Sequence, residues 1–443
     1  MVTIHLLVFR FYLPIVKLAI FLCENVIMGV LQRSTFSIAH LPLLQRLKQA
    51  LGFWLVASML LVNLGNYGFA IVLGRGLGPQ VYAEVNLIVT CFALATLLSS
   101  MFQIYAANAS VRPNNHATLR RLRQIAWGIG AASAGVCTGL AAFWQSKFHT
   151  SPTPLLVLGL GLGSYYALGV ERGIMQSQAA FGRLALNALL EMLIRLIGAM
   201  IVVSLSLGVT EASVALTSSL LGAWWFSRSK PTVTQVDGVS HQTPSLWPIG
   251  LCLAGQGLLL NSDIVLVTLW FSSQIAGQYA ALALIGRIGL FVSSTVATLF
   301  FAKLLRADQS TIQQREAFWQ SLGITTIIGI VFSLACWAMP DLIVQALFGS
   351  AYLPIVSVLW RYAAIASGYA LVNLLVSYQL AQQRLAGVWL ILGAGSMQIV
   401  ALGLFHQTIN HVLGVQAGIM LALLVLVGLS EWLSCQKNRA ESQ

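Results

Sequence analysis

Long apolar runs separated by short polar breaks fill the chain from about Leu51 to about Leu433. A helix needs about 20 mostly apolar residues to cross the hydrocarbon of a bilayer. The pattern predicts twelve such spans, at residues 51–73, 83–109, 124–144, 154–171, 184–207, 210–227, 247–270, 279–302, 318–339, 355–380, 386–406 and 411–433. Each end is placed to within about 2–4 residues. Helices satisfy their own backbone groups in lipid, so the expected fold class is all-α, a polytopic membrane bundle. The stretch between the sixth and seventh spans is rich in Ser, Thr, Pro and Gly, which marks a linker. It divides the chain into an N-lobe at 49–228, a linker at 229–246, a C-lobe at 247–434 and a tail at 435–443. The segment 1–48 is an extension that reads in two ways. Ile4–Leu22 is apolar but interrupted by Arg10 and Lys17, so it is either an interfacial segment or a thirteenth span, with Met28 as an alternative start.

Six spans per lobe is an even number, so both lobes begin on the same side of the membrane. They are then parallel repeats about an axis along the membrane normal, an architecture in which a substrate path lies at the repeat interface. The residues carry an echo of this repeat. The first span passes through Asn66 and the next begins at Tyr82-Ala83; the seventh passes through Asn261 and the next begins at Tyr279-Ala280.

Composition strengthens the membrane reading. Hydrophobic residues are 58% of the chain and charged residues 8%, against about 25% charged in soluble domains. The net charge of +12 comes from 24 Lys and Arg against 12 Asp and Glu. These cations alternate from loop to loop. One set of breaks holds Arg46, Lys48, Arg112, Arg120, Arg121, Arg123, Arg172, Arg183, Arg228, Lys230, Lys303, Arg306, Arg315, Arg384, Lys437 and Arg439. The other holds only Arg75 and Lys147. The positive-inside rule makes the first set cytoplasmic, with both ends of the twelve-helix unit there. The same distribution argues against nucleic acid as a partner, because no soluble basic domain exists. The six cysteines are scattered singly and read as small packing residues, and neither they nor the seven histidines show metal-ligand spacing. No cofactor motif is present: Gly159-Leu160-Gly161-Leu162-Gly163 lacks the strand and the Lys-Ser/Thr of a phosphate loop.

Ionisable residues inside spans are costly and face a bundle interior or a wet cavity. Glu191 and Arg195 stand four residues apart on the fifth span, on one helical face in the favourable order. They read either as a self-neutralising packing pair or as a cation lining the path of an anion. Asp263 and Arg287 fall at similar depths on consecutive spans. They read either as a buried ion pair or as a proton or cation site that couples transport to a gradient, the role assigned to Asp263. Asn63 and Asn66 offer interhelical hydrogen bonds or contacts to sugar hydroxyls. The candidate substrate path is therefore Arg195, Glu191, Arg287, Asn63 and Asn66. Arg195, Arg287 and Arg361 outnumber Glu191 and Asp263, which leans toward an anionic substrate.

Four motifs carry a family resemblance. Leu73-Gly74-Arg75-Gly76-Leu77-Gly78-Pro79-Gln80-Val81-Tyr82 resembles the LGPxxYG turn after the first span of bacterial polysaccharide flippases, with Ala83 in place of the last glycine. Arg172-Gly173-Ile174-Met175-Gln176, then Phe181, Glu191 and Arg195, resembles the stretch between spans four and five, with Ser177 where glycine is usual. Asn261-Ser262-Asp263, Ala276-Gly277-Gln278-Tyr279-Ala280 and Gly286-Arg287 resemble that family's seventh and eighth spans. Leu347-Phe348-Gly349-Ser350-Ala351-Tyr352 resembles its loop after the ninth. The family sits in the multidrug/oligosaccharidyl-lipid/polysaccharide exporter superfamily, so the resemblance implies a MATE-like fold. It also implies an O-antigen or exopolysaccharide flippase of the bacterial inner membrane. Such a protein moves an undecaprenyl-diphosphate-linked glycan among membrane lipids, with H+ or Na+ as the coupling ion and other polysaccharide-assembly proteins as neighbours. The alternatives are a multidrug exporter of organic cations and, further off, a membrane polymerase or ligase. An enzyme of that kind needs a large outer loop, which this pattern lacks, so a transporter and not an enzyme is expected.

Overall fold

The computed structural model describes residues 42–111, 116–148, 150–178, 180–228, 247–293 and 311–441. The reading of Ile4–Leu22, the linker at 229–246 and the end of the eighth span lie outside the described residues.

Those residues form helices joined by short turns, with no strand among them. The elements are α1 (Pro42–Ser110), α2 (His116–Gly139), α3 (Ala141–Phe148), α4 (Thr153–Ser177), α5 (Phe181–Ser204), α6 (Val209–Ser227), α7 (Trp247–Trp270), α8 (Ser273–Gly286), α9 (Thr311–Ala338) and α10 (Pro340–Leu347). A 3-10 turn at Ser350–Val358 leads into α11 (Leu359–Ala381), α12 (Ala386–Leu404) and α13 (Ile409–Glu441). Nine of the described helices are long and apolar enough to cross a membrane, ten if α2 and α3, bent by 47°, form one span.

Two features reconcile that number with the twelve expected spans. The first is that α1 holds two of them, broken at Gly78, its one residue with non-helical dihedrals (φ 75°, ψ 168°), just before Pro79. Glycine tolerates positive φ without the steric cost of a Cβ. Residues on either side give the direction of each arm. Gly65 and Gly76 lie against Met192 and Val203 of α5, so the first arm runs parallel to α5. Gly169 and Gly173 of α4 lie against Ser99 and Gln103, so the second arm runs parallel to α4. Helices α4 and α5 are consecutive and antiparallel, and the chain therefore reverses at Gly78–Pro79 without a loop. The second feature is α6, which is less apolar because it carries Thr210, Glu211, Ser213, Thr217, Ser218 and Ser219. Ser213, Thr217 and Ser219 are buried, and their hydroxyls are satisfied by the Val209, Val157 and Leu216 carbonyls. A polar stripe of this kind packs a helix inside a bundle at little cost, since no hydroxyl is left unbonded.

Three apolar cores hold the structure. One lies within the first half, around Leu87, Leu122, Tyr166 and Leu220. One lies within the second half, around Phe318, Val372, Val388 and Leu423. The third joins the halves, around Leu73, Tyr82, Tyr279, Phe348 and Leu359. It gathers at the face that carries Arg75, the arginine-poor one. Helix α1 is the main bridge, packing on α7, α8 and the 3-10 turn of the other half. Leu160, Trp225, Trp337 and Leu404 stand fully outward, as side chains against lipid tails do.

Candidate functional site

The first polar cluster is built on α5, just past whose midpoint Arg195 sits. The Glu191 carboxylate lies between two guanidinium groups: Oε1 accepts from Arg195 Nη2 at 2.5 Å and Oε2 accepts from Arg172 Nη2 at 2.6 Å. Both arginines have further anchors. Arg195 donates to Asn66 Oδ1 of α1 at 3.1 Å and to Ser219 of α6 at 3.4 Å, and lies over the Phe92 ring at 5.0 Å. Arg172 donates to Asn187 Oδ1 at 2.9 Å, and Asn187 donates in turn to the Ala223 carbonyl at 2.7 Å. The side chains of Arg195, Glu191 and Arg172 are 7%, 10% and 16% exposed. Two cations thus share one carboxylate, leaving the cluster a surplus positive charge.

The second cluster is centred on Asp263 of α7, which is fully buried. Its carboxylate accepts from Tyr279 of α8 at 2.9 Å, Tyr362 of α11 at 3.0 Å, Gln416 of α13 at 2.9 Å and Arg287 Nη2 at 3.2 Å. Arg287 also donates from Nε to the Tyr362 hydroxyl at 3.0 Å. One carboxylate faces one guanidinium here, and the other three partners are neutral donors, so this cluster carries no surplus. A small pocket adjoins it, lined by Arg287, Tyr362, Tyr369, Gln398 and Gln416. The Tyr369 hydroxyl is buried and has no partner among the described residues.

The expected site residues therefore divide between two places. Arg195, Glu191 and Asn66 come together in one half, and Asp263 and Arg287 in the other. Asn63, one helical turn before Asn66 on α1, has no hydrogen-bond partner among the described residues. Asn66 and Tyr67 are consecutive on α1 and point to different halves: Asn66 bonds Arg195, while the Tyr67 ring packs on Phe291 at 5.4 Å. Sequence reasoning missed Arg172 and the trio Tyr279, Tyr362 and Gln416. Arg172 was assigned to an inner loop, but α4 continues through it to Ser177. Its neighbour Glu171 faces Arg123 at the arginine-rich end, at 2.6 and 3.0 Å.

At the opposite face the halves are sealed. Tyr352 donates to the Gly74 carbonyl at 2.6 Å and Arg75 to the Ala346 carbonyl at 2.5 Å, both across the halves, while Gln278 braces the 3-10 turn within the second half by donating to the Ala351 carbonyl at 3.0 Å. Tyr82, Phe348 and Tyr352 pack as one aromatic group in tilted and edge-to-face contacts. Gly277 lies so close to the Pro79 carbonyl that a Cβ there would stand 1.7 Å from its oxygen. Three of the four resemblance motifs meet at this seal.

No family model and no curated protein sequence matches the chain. Solved structures do. An inward-facing multidrug resistance MATE family transporter of the MOP superfamily superposes with a TM-score of 0.69 at 14% identity, covering 86% of this chain and 95% of the other. The outward-facing conformation of a transporter of that description gives 0.57 at 15% identity, covering 89% and 96%. A MATE structure in complex with MaD3S gives 0.62 at 14%, covering 89% and 97%. The chain has the MATE-like fold expected from its sequence.

Proposed function

We propose that this protein is a flippase for a lipid-linked oligosaccharide, working by alternating access between its two halves. The surplus positive charge at Glu191, Arg172 and Arg195 is the observation that carries the reading. A buried charge without a partner is expensive, and an anionic headgroup that visits the cluster supplies the missing counter-charge. An undecaprenyl-diphosphate-linked glycan has that chemistry: a diphosphate for the arginines and hydroxyls for Asn63 and Asn66, with the lipid tail left among membrane lipids. Arginine forks suit phosphate oxygens. The seal on the arginine-poor face supports a state loaded from the arginine-rich face, which the charge rule makes cytoplasmic. Asp263 serves as the ion-coupling site in the second half, where H+ or Na+ has to compete with Arg287, which itself lines the substrate path. Neighbouring polysaccharide-assembly proteins of the inner membrane would supply and consume the glycan.

Export of organic cations is the second reading, favoured by the multidrug transporters among the structural neighbours. Purified protein in liposomes decides between the two. A fluorescent undecaprenyl-diphosphate oligosaccharide is placed in one leaflet, and an impermeant quencher reports its arrival in the other. Protein-dependent movement is the expected result. Ethidium export with no movement of the glycolipid would replace this reading with the second.

A further inference from the structure

We propose that Glu191 is an internal stand-in for the substrate's phosphate, displaced when the anion binds and neutralised by a proton as it leaves. The inference rests on the flippase reading and deepens it.

The geometry distinguishes the removable member of the cluster from the fixed ones. Arg195 keeps Asn66, Ser219 and the Phe92 ring without Glu191. Arg172 keeps Asn187, itself anchored on the Ala223 carbonyl. Both guanidinium groups therefore stay in place if the carboxylate swings away. Glu191 is held only by the two arginines, one on each oxygen. Two fixed cations bridged by one oxyanion form a ready site for another oxyanion, and a diphosphate offers more oxygens and more charge than a carboxylate.

Displacement has a consequence. Glu191 is 8% exposed, and a buried carboxylate without partners takes up a proton rather than stay charged. Its surroundings supply no other cation. Helix α4 presents Arg172 and Tyr165 to it, and α5 presents Arg195. The side chains of α1 and α6 at the cluster are Asn66, Phe69, Phe92 and Ser219, none of which titrates. Once both arginines turn to the substrate, the proton comes from water on the open face. Anion binding and protonation of Glu191 are then one event, distinct from the Asp263 cluster, where charges balance and no cation is left over.

The test is binding of fluorescently labelled undecaprenyl diphosphate to the full chain in phosphatidylcholine nanodiscs, between about pH 6 and pH 8. Uptake of one proton makes affinity rise about tenfold for each pH unit lowered. The lipid's own phosphates titrate too, so the comparison is with Glu191→Gln, which sees the same ligand. The expected result is a wild-type slope steeper than that of E191Q, and tighter binding by E191Q at about pH 8, where no carboxylate competes. Glu171→Gln should keep the wild-type slope. If E191Q does not fold, Glu191→Asp carries the test: the shorter carboxylate competes less well, so it should bind more tightly at about pH 8 and keep its slope. Equal slopes and equal affinities in wild type and variant would overturn the exchange while leaving the flippase reading standing. Absence of any binding to wild type would overturn both.

Discussion

The Tyr352 hydroxyl donates to the Gly74 carbonyl at 2.6 Å, tying the two halves together across 278 positions of sequence. Gly74 precedes the reversal of α1 at Gly78–Pro79, and Tyr352 follows Gly349, which has φ of 93°. Both partners thus sit beside backbone turns that glycine makes possible. The bond lies within the apolar core shared by the halves, so parting them on this face breaks it and exposes Tyr82 and Phe348 together.

Loosening the seal should expose what it buries. Ala83 is 2% exposed and belongs to the shared core, so Ala83→Cys in a background without the native cysteines reports opening. An impermeant maleimide should label it slowly. Tyr352→Phe removes one buried hydrogen bond, worth about 0.5–1.5 kcal/mol, and should speed labelling by about two- to tenfold. Labelling that is already fast without Tyr352→Phe would mean that the face is open in solution.

Arg172 and Arg195 should behave alike, although one was read from sequence as a path residue and the other as a loop charge. Arg172→Ala or Arg195→Ala leaves Glu191 one cation, so each variant should fold and each should lower glycolipid movement by at least about tenfold, the cost of about 1.4 kcal/mol in binding. The double variant strands the carboxylate, which costs about 3–5 kcal/mol for a buried pair, and should lose thermal stability far beyond the sum of the singles. Wild-type transport by Arg195→Ala and Arg195→Lys would remove Arg195 from the path.

Spans were legible in the sequence because the bilayer imposes one requirement on every helix, and α7 runs over the expected 247–270. Pairings between helices were less legible. Helix spacing linked Glu191 to Arg195 because they share α5, whereas Arg172 comes from α4 and reaches over by its long side chain. An arginine at a span end satisfies the topology rule whether it faces the headgroups or turns inward, so the charge pattern did not separate the two. The nearest signal was Asn187 and Glu191, four apart on one face, which marks a polar stripe wanting a partner. Tyr279 opens the expected eighth span, yet it is 2% exposed and bonded to Asp263. A tyrosine near a span end looks the same in sequence in either role.

The Asp263 cluster gives a stability prediction as well as a functional one. Asp263→Ala leaves the Arg287 side chain, 12% exposed, without its counter-charge, and should cost about 3–5 kcal/mol. Replacing both residues, as Asp263→Ala with Arg287→Met, removes the stranded charge and should recover much of the loss in a thermal unfolding series. Asp263→Asn keeps the shape and removes the charge. If glycolipid movement by Asp263→Asn retains its dependence on an imposed pH or sodium gradient, Asp263 does not couple transport to either ion.

Gly277 offers the sharpest test of the closed face. A Cβ there would stand 1.7 Å from the Pro79 oxygen and 2.5 Å from its carbonyl carbon. Both atoms are backbone, held by the α1 reversal, so no side chain can swing aside and packed interiors do not absorb such overlap. Gly277→Ala should therefore keep the halves apart at this face. Each half has its own core away from the seal, so the variant should still purify as a folded protein. Expected together are rapid labelling of Ala83→Cys and loss of glycolipid movement, because the proposed alternating access needs this face to close in each cycle. Protected Ala83→Cys with full transport in Gly277→Ala would show that α8 can back away from Pro79 without opening the seal, and the closing contact would then have to be sought in the Tyr352–Gly74 and Arg75–Ala346 bonds.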